Sequence, residues 1–211
     1  MKKWVMVLAL ALPFVLAFQA SATVITFNRI TSNSDINIES QLFIDVIVNG
    51  SGVKFKFRNA GTVLSSISEI YFYDGVLLDM WSIEDSCQGV NFEDLGQNTS
   101  PNKLPGYSPD KNVLVVLSAT EAEGPEPANG VKPNDWLSIG YTFKNGKNFQ
   151  NLLDDLASGE VVIGIHVKAI DCAVTDPDAS TMSDSFVSNP LPEPMTMALL
   201  ALGGLMLRRK K

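Results

Sequence analysis

The sequence has few of the side chains that catalysis and metal binding most often use. Its 211 residues include one histidine, His166, and two cysteines, Cys87 and Cys172. A structural zinc site needs more sulfur or imidazole ligands than these. His166 alternates onto the same strand face as Lys168, so we expect it at or near the surface. A Ser-His-acid hydrolase often carries its nucleophile in a G-x-S-x-G turn, and that pattern is absent. The sequence therefore predicts no catalytic residue, no metal site and no cofactor, and we expect a protein that is not an enzyme.

Positive charge is scarce in the middle of the chain. The whole sequence has 16 basic and 23 acidic residues. Six of the cations and one acid, Glu193, lie in the first 22 or the last 20 residues, so residues 23–191 hold ten cations against 22 anions, a net charge of −12. Such a surface argues against nucleic acid or anionic lipid as a partner. Cations and neutral polymers such as polysaccharide remain open as partners.

The N-terminal residues have the three parts of a secretory signal peptide. Lys2 and Lys3 are basic, residues 4–18 are apolar, and Ala20-Ser21-Ala22 is an A-x-A cleavage site. We expect signal peptidase to cut after Ala22. The sequence thus predicts an exported protein whose signal helix occupies residues 1–22.

The C-terminal residues form a second membrane-directed segment. Pro192-Glu193-Pro194 is a stiff, extended break, residues 195–207 carry no charge, and residues 208–211 are four consecutive cations. A helix over the thirteen apolar residues rises about 20 Å, less than the roughly 30 Å hydrocarbon core of a bilayer. We expect a marginal transmembrane helix that is inserted transiently, with the four cations on the cytoplasmic side.

This order of motif, apolar segment and basic end resembles the sorting signal of PEP-CTERM proteins. Five internal stretches are also similar to a recurrent exported domain of that family: residues 67–78, 104–106, 129–143, 152–170 and 183–190. The resemblance implies that an exosortase-type transpeptidase recognises Pro192, Glu193 and Pro194. It further implies delivery to the cell surface or an exopolysaccharide matrix, and it supplies no catalytic residues.

Export also bears on the two cysteines. In an oxidising compartment, an even number of cysteines is more often bridged than free. The sequence therefore predicts a disulfide between Cys87 and Cys172.

Between the two ends, the sequence predicts an all-β domain over residues 23–174. Val53, Phe55 and Phe57 alternate with cations, as in a half-buried antiparallel strand. Asn49-Gly50 and Asp74-Gly75 each predict a hairpin turn. Apolar residues at i, i+3, i+4 and i+7 predict one short helix beginning at Phe149. Asn148 is its expected N-cap, and Ser158-Gly159 is expected to end it. We expect an antiparallel β-sandwich of jelly-roll or other Greek-key order, followed by a linker over residues 175–191.

Two other functions stay open at this point. A secreted carbohydrate-active hydrolase would need two carboxyl groups across a cleft, and the adjacent pair Asp154-Asp155 instead belongs to the solvated face of the predicted helix. A calcium-dependent adhesin or ice-binding module is the other. Residues 176–180 resemble the start of a twelve-residue calcium loop, with Asp184 at position 9. Thr181 replaces the required glycine and Val187 the bidentate glutamate, so an EF-hand is ruled out and only an irregular calcium site stays open.

Overall fold

The described part of the computed structural model comprises residues 22–93, 103–108, 116–124, 127–144, 146–175 and 181–191. Within it the chain forms nine strands, one α-helix and a single 3-10 turn at Glu39–Gln41. The elements in chain order are β1 Thr23–Arg29, β2 Leu42–Asn49, β3 Gly52–Asn59, β4 Ser66–Asp74, β5 Leu78–Ser86, β6 Val116–Glu121, β7 Trp136–Phe143, α1 Phe149–Ser158, β8 Val161–Lys168 and β9 Asp184–Ser188.

All nine strands belong to one antiparallel sheet in the order β5-β7-β3-β2-β1-β9-β8-β4-β6. Strand β1 joins its two halves, because Thr23 to Thr26 pair with β2 while Phe27 to Arg29 pair with β9. We call β5, β7, β3 and β2 the first half and β9, β8, β4 and β6 the second half. The sequence left this strand order open.

The sheet curls so that the two halves face each other across the main core. Phe72 of β4 lies 5.0 Å from Phe55 of β3 and 4.6 Å from Tyr141 of β7, measured between ring centroids. Aliphatic side chains of both halves surround these rings, among them Ile44, Val46, Ile163 and Ile165. The expectation of an all-β, antiparallel fold with one short helix is confirmed, and the core lies between the two halves of the curled sheet.

Helix α1 begins and ends where the sequence predicts. The side chain of Asn148 accepts hydrogen bonds from the backbone N–H groups of Gln150 and Asn151, and Gly159 ends the helix in the left-handed conformation at φ 81°. Leu152 and Leu156, on the apolar face of the helix, are buried. The helix lies at the end of the sheet where β7 stops and β8 starts.

Of the two predicted hairpins, one is confirmed and one is wrong. Strands β2 and β3 pair from Leu42↔Asn59 to Asn49↔Gly52. Strands β4 and β5, by contrast, do not pair with each other, since β4 pairs with β6 and β8 while β5 pairs with β7. The Asp74 carboxylate accepts from the N–H groups of Leu77 and Leu78. These hydrogen bonds stabilise the turn at which the chain passes from the second half of the sheet to the first.

The predicted linker over residues 175–191 is wrong at its C-terminal part. Residues Asp184–Ser188 form β9, which lies between β1 and β8 in the middle of the sheet. Composition does not predict this short strand, because only two of its residues, Phe186 and Val187, are apolar. Its polar positions are stabilised by contacts with distant parts of the chain.

The predicted disulfide is also absent from the structure. Cys87 follows β5 in the first half, where its N–H donates to the carbonyl of Trp136. Cys172 follows β8 in the second half. Both are half-buried thiols. An even cysteine count carries no information on the distance between the two residues, so it predicts a bridge that this fold does not contain.

The segments predicted to enter a membrane, in residues 1–22 and 192–211, lie outside the described residues, apart from Ala22. Among the described residues, no helix has the length and apolar character of a membrane span.

Candidate functional site

His166, the only histidine, lies in a polar row that crosses three strands. Its partners in register are Glu69 of β4 on one side and Ser185 of β9 on the other. All three residues occupy the outer face of the second half, opposite the main core. A hydrolase triad has the same three residue types in this order. The distances and hydrogen bonds among the three side chains therefore decide whether they can act as a catalytic triad.

Glu69 is the centre of this row. Its Oε1 lies 3.1 Å from Nδ1 of His166 and 2.9 Å from Nζ of Lys168, and its other carboxylate oxygen accepts from the Tyr71 hydroxyl. Burial by itself raises the pKa of a carboxyl group. The contacts with His166, Tyr71 and Lys168 outweigh that effect and lower the pKa of Glu69 from 4.5 to about 2. The carboxylate is thus held in its ionised form.

The sequence placed His166 and Lys168 on one face, and both indeed contact the same carboxylate oxygen. It also placed His166 near the surface, which is wrong, because only 12% of its side chain is exposed. Nδ1 lies 3.1 Å from the Glu69 carboxylate. His166 is therefore a buried member of the polar cluster around Glu69.

Ser185 does not have the geometry of an activated nucleophile. It is fully buried, and its hydroxyl makes no hydrogen bond within the described part of the chain. A nucleophile needs a hydrogen bond to its base and access to substrate. The row resembles a triad in residue order alone.

Residues 103–108 cover part of this outer face. The N–H of Leu104 donates to the Tyr73 hydroxyl over 3.1 Å, and the ring of Tyr107 lies 4.9 Å from that of Tyr73. Leu104 also packs over Gly164, where a Cβ atom would overlap its side chain. Burial raises the pKa of Tyr73 to about 12, so its hydroxyl keeps its proton. The face is a small second core, with the polar row beside it.

A groove on the first half is the second candidate site. It encloses about 380 Å³ and is lined by Asn49, Gly52, Trp81, Glu84, Gly140 and Thr142 among others. The Glu84 carboxylate lies across Gly140, where any Cβ atom would overlap it. Lys54 Nζ at 2.8 Å and Asn49 Nδ2 at 2.7 Å fix its two oxygens. Trp81 stacks on Tyr141 at 6.4 Å between ring centroids and packs with it against the main core, so its indole lies on the opposite face of the sheet from this carboxylate.

Asp184, the last oxygen of the predicted calcium loop, faces the protein. Its carboxylate forms an ion pair with Arg29 and accepts from Thr31 Oγ1 at 2.9 Å and from the N–H of Asn33 at 2.8 Å. With no exposed surface, it is not available to a cation in solution. Residues 176–180 of that loop lie outside the described residues.

Two other groups of residues were named from the sequence, the acidic pair on the helix and the sorting motif. Asp154 is exposed and Asp155 half-buried on α1, which confirms that this pair belongs to a solvated helix face. Pro192, Glu193 and Pro194 lie outside the described residues, but Leu191 immediately before them packs against the core. Across the described ranges, no group of three or more metal-binding side chains converges.

Comparison with protein-family models, with curated proteins and with solved structures finds no match to this chain.

The Glu69 cluster predicts an acid-sensitive contribution to stability. Because the pKa of Glu69 is lowered on folding, from 4.5 to about 2, its stabilising effect is complete above about pH 4.5 and is lost as the pH falls toward 2. The difference corresponds to about 3 kcal/mol. We expect urea denaturation to show this loss in the native sequence and a much smaller one in Glu69→Gln, which is already less stable at pH 7.

Glu160→Gln, at an exposed acid beside β8, is the control. Its free energy of unfolding should depend on pH as that of the native sequence does. Parallel profiles for the native sequence and Glu69→Gln would contradict the assignment.

Proposed function

We propose that this chain is an exported, non-catalytic β-domain protein that an exosortase sorts to the cell surface or extracellular matrix, where it associates with polysaccharide. The observation that carries the proposal is the succession of Pro192-Glu193-Pro194, the uncharged residues 195–207 and the four cations 208–211. The motif is the recognition and cutting site. The cations hold the chain end in the cytoplasm until cutting, and membrane insertion is transient.

The arrangement of the domain's ends supports this proposal. Thr23, the first residue after the predicted signal peptide, pairs with Val46, and the N–H of Asn189 donates to the carbonyl of Thr26. The N–H of Leu191 donates to Leu156 of α1 over 3.3 Å. The chain therefore enters and leaves the domain at the same end. A transient membrane anchor would hold that end toward the membrane.

The chemistry of the domain supports a role other than catalysis. The Glu69 carboxylate is neutralised by Lys168, and that of Asp184 by Arg29. Both groups stabilise the fold through these contacts. A general acid or base would instead be free to exchange a proton with substrate.

Replacing Pro192, Glu193 and Pro194 together by alanine tests the sorting step. We expect the native sequence to be processed and to leave the membrane fraction, and the triple variant to stay there at full length, because the enzyme no longer recognises it. Fractionation followed by immunoblotting measures this. Pro190→Ala, at an exposed proline before the motif, is the matched control and should be processed normally. If the triple variant leaves the membrane as the native sequence does, the motif is not the sorting signal.

A further inference from the structure

We propose that the folded domain slows its own sorting, because the residues just before the motif are bound to the fold. This inference rests on the proposed function and describes how that step is regulated. We call residues 189–191 the exit segment. The sorting motif begins at the next residue, Pro192. Cutting at the motif therefore depends on release of the exit segment from the domain.

The exit segment continues the chain from β9, and its first residue is bound to β1. The N–H of Asn189 donates to the carbonyl oxygen of Thr26 over 2.9 Å, and Nδ2 of Asn189 donates to Oγ1 of Thr26 over 2.8 Å. One residue earlier, Oγ of Ser188 accepts from the N–H of Ile163 in β8 over 3.0 Å. The chain is thus held by both neighbours of β9 where the exit segment begins.

Leu191 binds the other end of the exit segment to α1. Its N–H donates to the carbonyl oxygen of Leu156 over 3.3 Å, and its half-buried side chain packs against the main core. The carbonyl of Leu156 belongs to the last turn of the helix, where backbone acceptors have no partner within the helix. The contacts with the fold therefore reach the residue immediately before the motif.

These contacts conflict with what a peptide-cutting enzyme needs from its substrate. Cleavage of folded proteins is concentrated at exposed chain, and elsewhere it follows the population of a locally opened form. No residue separates the bound Leu191 from Pro192, so the enzyme can take extended backbone before the motif only after the exit segment is released. Such a local opening leaves the rest of the sheet intact. The rate of sorting is then proportional to the released fraction.

The rate of processing of the full chain in cells that have their exosortase tests this inference. Pulse labelling followed by immunoblotting measures the rate. An insertion of roughly six glycine and serine residues between Leu191 and Pro192 adds roughly 20 Å of reach and changes no contact of the fold. We expect the insertion to speed processing about tenfold or more, because the enzyme then takes the motif while the exit segment stays bound.

Two substitutions weaken the exit segment without a change in the length of the chain. Asn189→Ala and Thr26→Val each remove the same side-chain hydrogen bond, so each should speed processing about threefold. The double variant should be no faster than either single one, because only one interaction is lost. Asn28→Ala, at an exposed residue of β1, is the matched control and should be processed at the native rate.

Amide hydrogen exchange of the purified full chain in a mild detergent gives the released fraction without the enzyme. We expect the N–H groups of Asn189 and Leu191 to be protected, and the protection of both to fall in Asn189→Ala. Exchange at the rate of an unfolded peptide in the native chain would overturn the inference.

The outcomes in cells separate this inference from the proposed function. Equal rates for the native sequence, the insertion and Asn189→Ala, or a slower rate for the insertion, overturn the inference and leave sorting through the motif standing. A chain that is processed in none of these forms contradicts both.

Discussion

Asp184→Ala is expected to destabilise the domain by about 3–5 kcal/mol, the range for removing one partner of a buried ion pair. Asp184 has no exposed surface, and only 11% of its partner Arg29 is exposed. Without the carboxylate, the Arg29 guanidinium would be a buried charge without a counter-ion, and Nε already has no hydrogen bond within the described residues. The N–H groups of Asn33 and Ser34 would also lose their acceptor. Domains of this kind have a free energy of unfolding of only about 5–15 kcal/mol, so this loss is a large share of the total.

Urea denaturation at pH 7 measures this effect, with Asp154→Ala as the matched control. Asp154 is exposed on α1, so its removal should change the free energy of unfolding by about 0.5 kcal/mol or less. A loss below about 1 kcal/mol for Asp184→Ala would mean that Asp184 does not anchor β9 to the segment after β1.

Phe72→Ala is the second change with a large expected effect, about 3–5 kcal/mol for a large buried aromatic side chain. Phe72 comes from β4 in the second half, yet its ring contacts Phe55 at 5.0 Å, Phe57 at 6.0 Å and Tyr141 at 4.6 Å, all from the first half. The substitution leaves a cavity where the two halves meet. It should therefore weaken the whole domain in one cooperative transition.

Phe43→Ala is its control, read from the same denaturation curves. Phe43 is half-buried on the outer face, where its ring lies 5.4 Å from the Arg58 guanidinium carbon, and its loss should cost about 1 kcal/mol. Equal losses for the two variants would show that Phe72 is not at the centre of a core shared by both halves.

Local patterns predicted those elements that have one buried face or one clear cap. The alternation in β3 predicted which side chains face the core, Asn49-Gly50 predicted the β2–β3 turn, and Asn148 with Gly159 predicted the ends of α1. Each of these signals lies within a few residues of the structure it specifies. For that reason no knowledge of the rest of the fold was needed.

Predictions that depended on distant partners were the ones that failed. Every residue of β4 is buried, the polar Ser66, Ser68 and Glu69 included, so the strand lacks the alternation of apolar and exposed residues that would indicate its partners. The dipeptide Asp74-Gly75 is compatible with a hairpin and equally with a crossing between the halves. Strand β9 has the composition of a linker because Asp184 and Ser185 are polar. The burial of Asp184 depends on Arg29, Thr31 and Asn33, which are distant in sequence. Glu69 and Glu84 were missed as site residues for the same reason, since strand register brings His166 to one and Lys54 to the other.

The C-terminal residue of the protein recovered from cells tests the central claim most directly. Intact-mass analysis would compare protein from cells that have their exosortase with protein from cells that lack it. We expect a chain that ends near Pro192-Glu193-Pro194 in the first case and one that retains Lys211 in the second. A chain that still ends at Lys211 in both would contradict sorting through this segment.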